Sequence, residues 1–240
     1  MKAIITFHSI DDSGSFLSFS INQFENLLSS LSKLNIPIVS LDELLKKETK
    51  KGIALTFDDG MKSLFTKALP VLRDYNAVAH LYLTTGVVGK DNMWPTQPKH
   101  APRYDILSWG EVEQLSESGI YIESHTVNHP DMRALSLSQI EEECNTADDE
   151  IEKRVGRRPR YFAYPYGFKN EKVSNYVSKH YIASVTTEFR VLDKNEDASL
   201  LPRLDAYYLQ PSWLQHNFDS LLVKYYLQCR GVIRTLRGTQ

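Results

Sequence analysis

The chain is poor in cysteine, in long apolar runs and in charge of one sign. Its 240 residues include two cysteines, Cys144 and Cys229, which do not form a CxxC pair. Two such cysteines support neither a disulfide framework nor a cysteine-ligated zinc site. No stretch is long and apolar enough to span a bilayer, and the formal net charge of -2 gives no global attraction to nucleic acid. These absences indicate a globular protein that does not bind nucleic acid.

The two ends of the chain bear on where the protein acts. The opening MKAIITFHSIDD has one lysine and an apolar run that is shorter than the core of a signal peptide. We therefore expect a cytoplasmic protein. The last residues predict a C-terminal helix from about residue 211, and they mix apolar side chains with Lys224, Arg230, Arg234 and Arg237. This helix is expected to pack on the fold with its basic face exposed or, alternatively, to make a peripheral contact with a membrane surface.

Short apolar strands and amphipathic helices alternate some seven times along the chain. Strands are predicted at 3–7, 36–41, 53–57, 78–83, 120–123, 161–164, 182–187 and 201–207. The stretch 86–107 is predicted to be a long loop. Such alternation predicts an α/β fold with a parallel sheet, and at this length a closed or nearly closed (β/α) barrel of about seven parallel strands. An open doubly wound sheet is the alternative.

Two adjacent carboxylates, Asp58 and Asp59, directly follow the predicted strand IALTF. In a barrel of parallel strands this position is the C-terminal rim, where active sites are built. Adjacent carboxylates repel each other, and a cation or a proton relieves that repulsion. The pair could instead cap the N-terminus of a helix, where Asp is also favoured.

A histidine pair, His125 and His129, follows a later strand in the segment SHTVNHP. Two imidazoles four residues apart commonly bind one metal, and Pro130 disfavours a helix at this point. Two unrelated surface histidines are the alternative. The acidic pair and the histidines both lie just past strands on the same rim. One Asp and two His are therefore expected to form a metal site that leaves positions open for water and substrate.

The segments TFDDG and SHTVNH resemble the polysaccharide deacetylase family, which is the NodB-homology group of carbohydrate esterases, family 4. YFAYPYG, residues 161–167, resembles the third motif of that family, and the opening ITFHSI resembles the start of its poly-N-acetylglucosamine deacetylase branch. The resemblance extends from residue 4 to about residue 204. It implies a distorted (β/α) barrel, the NodB-homology fold, in a single domain over residues 1–240. It also implies a metal-dependent hydrolase that removes N-acetyl groups from carbohydrate.

The resemblance further implies a role for each residue that matches a family motif. Asp59, His125 and His129 match the metal ligands. Asp58 matches the general base, which takes a proton from the attacking water. The backbone N–H of Tyr166 is implied to stabilise the oxyanion. The metal is expected to be zinc, with cobalt, nickel or iron as alternatives.

Two of the implied roles leave alternatives open. In the poly-N-acetylglucosamine branch the acid that protonates the leaving amine is the histidine near the N-terminus, which here is His8. Most of the family carries its acid late in the chain, which makes His216 a rival. Many members also carry an Arg in the third motif that holds the base carboxylate, and here Ala163 stands at that position. Arg203 could supply this cation, or it could form a surface salt bridge with Asp205.

The expected activity is N-deacetylation of an amino sugar or of a glycan precursor, which could be nucleotide-linked or lipid-linked. A deacylase of a non-sugar amide on the same fold and a catalytically inactive relative that binds sugar are the alternatives. The aromatic residues Trp94, Tyr104 and Trp109 flank the predicted long loop. Their amphipathic rings suit a wet cleft that packs against sugar, and they favour the carbohydrate substrate.

Overall fold

Among residues 1–236, which the computed structural model describes, seven parallel strands form one sheet. In chain order, the strands of the protein are β1 (Lys2–Phe7), β2 (Ser9–Ile10), β3 (Ser18–Phe19), β4 (Gly52–Asp59), β5 (Ala79–Leu83), β6 (Tyr121–Ser124), β7 (Tyr161–Ala163), β8 (Ala183–Val185) and β9 (Leu204–Asp205). The sheet has the spatial order β8-β7-β6-β5-β4-β1-β9. The short strands β2 and β3 pair with each other outside it.

The sheet curls until its two edges nearly meet. The segment 201–205 reaches both of them, because Leu201 bridges to Val185 of β8 while Leu204 and Asp205 pair with β1. The strands are almost continuously apolar, as expected where a parallel sheet is covered on both faces. The result is the distorted (β/α) barrel that the sequence predicts.

Helices surround this barrel, and most begin where the sequence indicates. They are α1 (Ile21–Lys33), α2 (Leu41–Leu44), α3 (Leu69–Asp74), α4 (Trp109–Glu117), α5 (Leu137–Val155), α6 (Glu171–His180), α7 (Ser212–His216) and α8 (Leu221–Leu236). Ser20, Ser108 and Ser136 cap three of them, since each hydroxyl accepts a hydrogen bond from the backbone N–H three residues later. Gly156 ends α5 in the left-handed conformation, at φ 73°.

Two predicted elements differ from the structure. The prediction of a strand at 36–41 is wrong, because this segment forms only one bridge, between Ile38 and Ile53. Pro37 has no N–H to extend a ladder, and α2 already begins at Leu41. The helix predicted from about residue 211 is two helices, because a turn at 217–220 ends α7 and the Ser220 hydroxyl then caps α8.

The C-terminal helix does not have the properties of a membrane span. Within residues 1–236, no helix is long and apolar enough to cross a bilayer. Arg237, one of the basic residues that suggested a membrane contact, lies outside the described residues. That contact stays a prediction.

Aromatic packing fixes the strands that carry the site. Phe7 of β1 and Phe57 of β4 are register partners, and their rings stack with centroids 5.1 Å apart. Phe24 of α1 meets both rings edge-on. All three side chains are buried, so their packing helps to fix the register of β1 against β4. Both strands end at the same rim of the barrel as a consequence.

A carboxylate with no part in that rim, Asp148 of α5, is buried behind β6. It accepts a hydrogen bond of 3.1 Å from the Tyr181 hydroxyl, and the guanidinium of Arg158 is 3.9 Å away. Burial raises the pKa of Asp148 to about 6, because the hydrogen bonds from Ser124 and Tyr181 and the charge of Arg158 offset the desolvation only in part.

We expect Asp148→Asn to stabilise the protein at neutral pH and to have little effect in acid. The pKa is higher in the folded chain than in the unfolded one, so the wild type loses stability as pH rises from about 4 to about 6. At pH 7 the gain in the free energy of unfolding should be on the order of 2 kcal/mol. Urea unfolding at pH 7 and in acid, at or below about pH 4, measures the free energy of unfolding of each variant. Asp149→Asn, an exposed neighbour, is the control, and an equal effect of Asp148→Asn at both pH values would contradict the assignment.

Candidate active site

The side chains that the sequence singles out meet at the C-terminal rim of the barrel. Asp58 and Asp59 end β4, His125 directly follows β6, and His8 directly follows β1. The carboxyl ends of parallel strands share one rim, which is why residues so far apart in the chain come together. A cavity of about 260 Å³ opens there, and its lining includes His8, Asp58, Asp59, His125, His129, Tyr166 and Arg203.

Three ligand atoms lie at the floor of this cavity: one carboxylate oxygen of Asp59 and the Nε2 atoms of His125 and His129. The two Nε2 atoms are 3.1 Å apart, and Asp59 Oδ1 lies 3.5 Å from that of His125 and 3.6 Å from that of His129. Neighbouring ligands of a tetrahedral metal with bonds of about 2.1 Å are about 3.4 Å apart. All three side chains are buried. The spacing and the donor set therefore fit a divalent metal.

The histidines are held in the form that binds a metal. Nδ1 of His125 is 2.8 Å from the Ala163 carbonyl oxygen, which accepts a hydrogen bond from the Nδ1–H group. This tautomer leaves Nε2 unprotonated and free to act as a ligand. Burial, followed by the charge of His125, lowers the pKa of His129 to about 3. Burial alone would raise the pKa of Asp59, but the hydrogen bond from His125 and the charge of His129 hold it below its usual range. A neutral imidazole and an ionised carboxylate are the ligand forms.

Backbone strain is concentrated at this rim. Asp59, Thr126, His129 and Tyr166 have φ of 70°, 67°, 50° and 58°, in the left-handed region that costs energy for any residue with a Cβ. Asp59 is the last residue of β4, and the other three lie in the segments that follow β6 and β7. The positive φ values turn the backbone away from the regular strand path where Asp59 and His129 join the cluster of ligand atoms.

Glu143 of α5 holds the loop that carries the two histidines. Its carboxylate accepts hydrogen bonds from the backbone N–H groups of Val127 and Asn128, at 3.0 and 2.9 Å, and from the Asn128 side chain at 2.7 Å. Sequence reasoning missed this residue. Glu143 is one of several acidic side chains on a long polar helix, and nothing in its spacing marks it out.

Asp58 is paired with Arg203 in a buried, two-pronged ion pair. The two guanidinium nitrogens Nη1 and Nη2 each donate to one oxygen of Asp58, at 2.7 Å. Burial raises the pKa of Asp58, but the charge and hydrogen bonds of Arg203 outweigh it and hold that pKa below its usual value. The surface salt bridge considered between Arg203 and Asp205 is not formed. Asp205 lies instead 3.7 Å from Arg234 of α8.

Two threonines complete the setting of Arg203. Thr6 of β1 and Thr56 of β4 are register partners, and each hydroxyl accepts from Arg203 Nη1, at 3.0 and 3.3 Å. The Thr186 carbonyl accepts from Nε at 3.0 Å. Both strand threonines interrupt apolar runs, in AIITF and IALTF. A polar residue at the same register position of two buried strands could have indicated that a buried polar side chain, here Arg203, lies between them.

The aromatic residues of the long loop have separate places. Trp94 donates from Nε1 to the Tyr166 hydroxyl at 2.8 Å, and both rings pack against His129, with centroids 4.5 and 4.3 Å away. Trp94 is buried in the wall of the cavity. Tyr104 is hydrogen-bonded through its hydroxyl to the loop at Ser15, and Trp109 packs against the core. Trp94 is therefore the member of this set nearest the metal ligands.

The two histidines considered as the acid have different surroundings. His8 is half-buried and lines the cavity that Asp58 and Asp59 also line. His216 is exposed on α7 and, among the described residues, is not part of that lining. The geometry favours His8, and its catalytic role stays a prediction.

The barrel and its rim define an α/β protein with a candidate Asp–His–His metal centre beside a separately held carboxylate. The family model described as polysaccharide deacetylase matches residues 45–185. This chain belongs to the polysaccharide deacetylase family, which confirms the resemblance seen in the sequence.

Individual relatives agree with that membership. YxkH of Bacillus subtilis (strain 168) is 26% identical over 208 residues, which cover 84% of this chain and 70% of YxkH. Poly-beta-1,6-N-acetyl-D-glucosamine N-deacetylase of Staphylococcus aureus (strain MSSA476) is 24% identical over 206 residues. These cover 80% of this chain but 66% of the relative, so the chain spans just under two thirds of that relative's length.

Solved structures show the same fold. The Streptococcus pyogenes deacetylase PplD, solved in complex with acetate, has a TM-score of 0.73 at 23% identity, over 85% of this chain and 91% of PplD. IcaB from Ammonifex degensii has a TM-score of 0.73 at 20% identity, over 90% of this chain and 97% of IcaB. At these identities the likeness concerns the fold alone.

We expect Glu143→Ala to weaken metal binding without unfolding the protein. Loss of its three hydrogen bonds frees the loop between the histidines, and outer-shell changes of this kind typically cost roughly 10- to 100-fold in metal affinity. Competition against a chromophoric chelator measures the affinity for zinc. Glu142→Ala, an exposed neighbour on α5, is the matched control. Equal affinities for the two variants would show that Glu143 does not position the ligands.

Proposed function

We propose that this protein is a metal-dependent hydrolase that removes N-acetyl groups from an amino sugar or a glycan precursor. The observation that carries the proposal is the juxtaposition of three buried metal-ligand atoms with Asp58, a carboxylate held by Arg203 rather than by the cluster. Metal-assisted hydrolysis of an amide uses both parts, a Lewis acid and a separate base. Family membership and the name of the Staphylococcus aureus relative support the carbohydrate substrate.

Asp59, His125 and His129 are the residues that would hold the metal. When bound there, a divalent metal supplies Lewis acidity to the carbonyl and to a water molecule. Zinc suits this donor set, as do cobalt, nickel and iron. The hydrogen bond to the Ala163 carbonyl already sets the tautomer of His125, so this side chain needs little rearrangement to act as a metal ligand.

Asp58 takes the proton as water adds to the amide carbon. Arg203 orients the carboxylate through two hydrogen bonds and keeps it ionised, so that it is ready to accept a proton. The backbone N–H of Tyr166 is proposed to donate to the oxygen that becomes negatively charged. The positive φ of Tyr166 turns its peptide at the rim of the cavity, next to His129.

Cleavage of the C–N bond completes the reaction. The leaving nitrogen must gain a proton, because an amide anion is a very poor leaving group. His8 is proposed to donate it, since an imidazolium can act as a general acid and His8 lines the cavity. The products are acetate and the free amine of the sugar.

The cavity wall bears on which glycan is bound. Arg234 of α8 lines the cavity beside Asp205, so the wall includes a cation in addition to Arg203. A guanidinium at this place supports the class of precursors that carry phosphate, such as nucleotide-linked or lipid-linked amino sugars. The cytoplasmic location expected from the sequence agrees with such precursors and stays a prediction.

Acetate release tests the function. The metal-loaded protein is assayed with free N-acetylhexosamines, N-acetylglucosamine oligomers, a nucleotide-linked N-acetylhexosamine and a cyclic amide. We expect turnover of N-acetylated sugar and release of one acetate for each amine formed. Turnover of the cyclic amide alone would indicate a deacylase of non-sugar amides. Sugar binding without acetate from any substrate would indicate an inactive relative.

Asp58→Asn should keep the metal and lose turnover. The amide is close in size to the carboxylate but cannot accept the proton, and general base catalysis is typically worth about 10²- to 10⁴-fold. Metal content by mass spectrometry and the rate of acetate release are measured together. Asp148→Asn replaces a buried carboxylate outside the cavity and serves as the control. Loss of metal in Asp58→Asn would make Asp58 a ligand instead.

His8→Ala should lower kcat by about 10²-fold or more and leave metal occupancy unchanged, because a general acid is lost while the ligands remain. His216→Ala is the matched control and should be as active as the wild type. The opposite result, a normal His8→Ala and a slow His216→Ala, would transfer the acid role to His216.

A further inference from the structure

Helix α8 presents six large apolar side chains to solvent, in addition to the apolar residues that it buries against the barrel. The exposed fractions of its outward side chains run from 41% to 83%, and these side chains are Leu221, Leu222, Tyr225, Val232, Ile233 and Leu236. We call these six residues the outer face of α8. A continuous stripe of large apolar side chains on one helix is uncommon on a free surface and marks a site of interaction.

Two arginines of α8 face the barrel, on the same side as the buried Val223 and Leu227. The guanidinium of Arg230 lies 4.3 Å from the ring centre of Tyr208, and that of Arg234 lies 5.4 Å from the ring centre of Phe189. Gly231 permits this close approach, since a Cβ there would lie 2.4 Å from the Phe189 carbonyl oxygen. The orientation of α8 is therefore set by its inner contacts, and the outer face is left without a partner within residues 1–236.

The outer face lacks the pattern of a helix that lies on a membrane. Such helices carry Lys and Arg on the polar face and at its borders, where they meet anionic headgroups. In α8 the two arginines are turned inward, and Lys224 lies 3.5 Å from Asp219. No side chain of the outer face is charged, so two such faces would not repel each other.

Four of the six residues of the outer face lie symmetrically about Cys229, which is near its centre. Leu222 and Leu236 each lie seven residues from Cys229, and Tyr225 and Ile233 each lie four residues from it. A two-fold axis that passes beside Cys229 would pair leucine with leucine at both ends of the stripe. Self-complementarity of this kind is what a two-fold interface between identical chains requires.

We propose that the outer face of α8 binds the same face of a second copy of this chain, with the two helices antiparallel and the Cys229 residues near the axis. The stripe runs along 222, 225, 229, 232 and 236, at alternating intervals of three and four residues that are typical of paired helices. The six large side chains of the outer face offer on the order of several hundred Å² per chain, which approaches the roughly 800 Å² per partner of a standard interface.

The pairing has a consequence for the cavity. Arg234, on the inner side of the same helix, lines the cavity with His8 and the acidic pair. A partner helix against the outer face would hold α8 on the barrel and so keep Arg234 at the cavity wall.

Light scattering after gel filtration tests the proposal on the full chain. We expect a mass of twice the 27.6 kDa of one chain. Val232→Glu places a charge in the middle of the stripe and should give a monomer, because the charge would have to be buried at the interface. Ile182→Glu is the matched control, since Ile182 is 56% exposed, close to the 59% of Val232, but lies outside α8. It should remain a dimer.

Cross-linking then tests the geometry. A short bis-maleimide should join two chains through Cys229, and Cys229→Ser should abolish the product. Cys144 is fully buried and should not react, so Cys144→Ser should cross-link as the wild type does. A dimer that Val232→Glu does not dissociate, or one without the Cys229 cross-link, would overturn the proposal. A monomer would overturn it as well, and sedimentation with anionic vesicles would show whether the outer face binds lipid instead.

Discussion

The ion pair between Arg203 and Asp58 is the interaction on which the rest of the site depends. It joins the segment before β9 to the end of β4, and β1 lies between these two strands. Removing two charges from water is costly, and both hydrogen bonds of the pair, together with Thr6 and Thr56, are needed to offset that cost. The same contact orients the proposed base, so one ion pair both joins the strands of the barrel and would serve the proposed catalysis.

Two adjacent carboxylates can remain ionised here because each has its own hydrogen-bonding partners. Asp58 faces Arg203, whereas Asp59 faces the two histidines, and in both cases the pKa stays below its usual value despite burial. The left-handed turn at Asp59 separates the two side chains and sends them in different directions. A regular strand would also place successive side chains on opposite faces, but it would not aim both at one cavity. The local strain is therefore part of how the site is built.

Much of the barrel could be predicted from the sequence because its strands are short apolar runs that alternate with amphipathic helices. The prediction at 36–41 was wrong because Pro37 and the start of α2 limit that segment to one bridge. Glu143 and Arg234 could not be recognised as part of the site. Both lie on helices whose sequence shows which residues are polar but not which of them reach the site, and the two arginines of α8 proved to face inward.

The sequence by itself determined which residues could carry the chemistry. An acidic pair and an HxxxH pair placed after apolar strands are local patterns, and a parallel barrel brings all strand ends to one rim. Only the tertiary structure decided how these residues are partnered. The pairing of Arg203, rather than another cation, with Asp58 joins side chains 145 residues apart. That His8 lines the cavity while His216 is exposed likewise depends on where the ends of β1 and α7 lie in the fold. Such contacts arise from the curl of the sheet, and no local pattern encodes them.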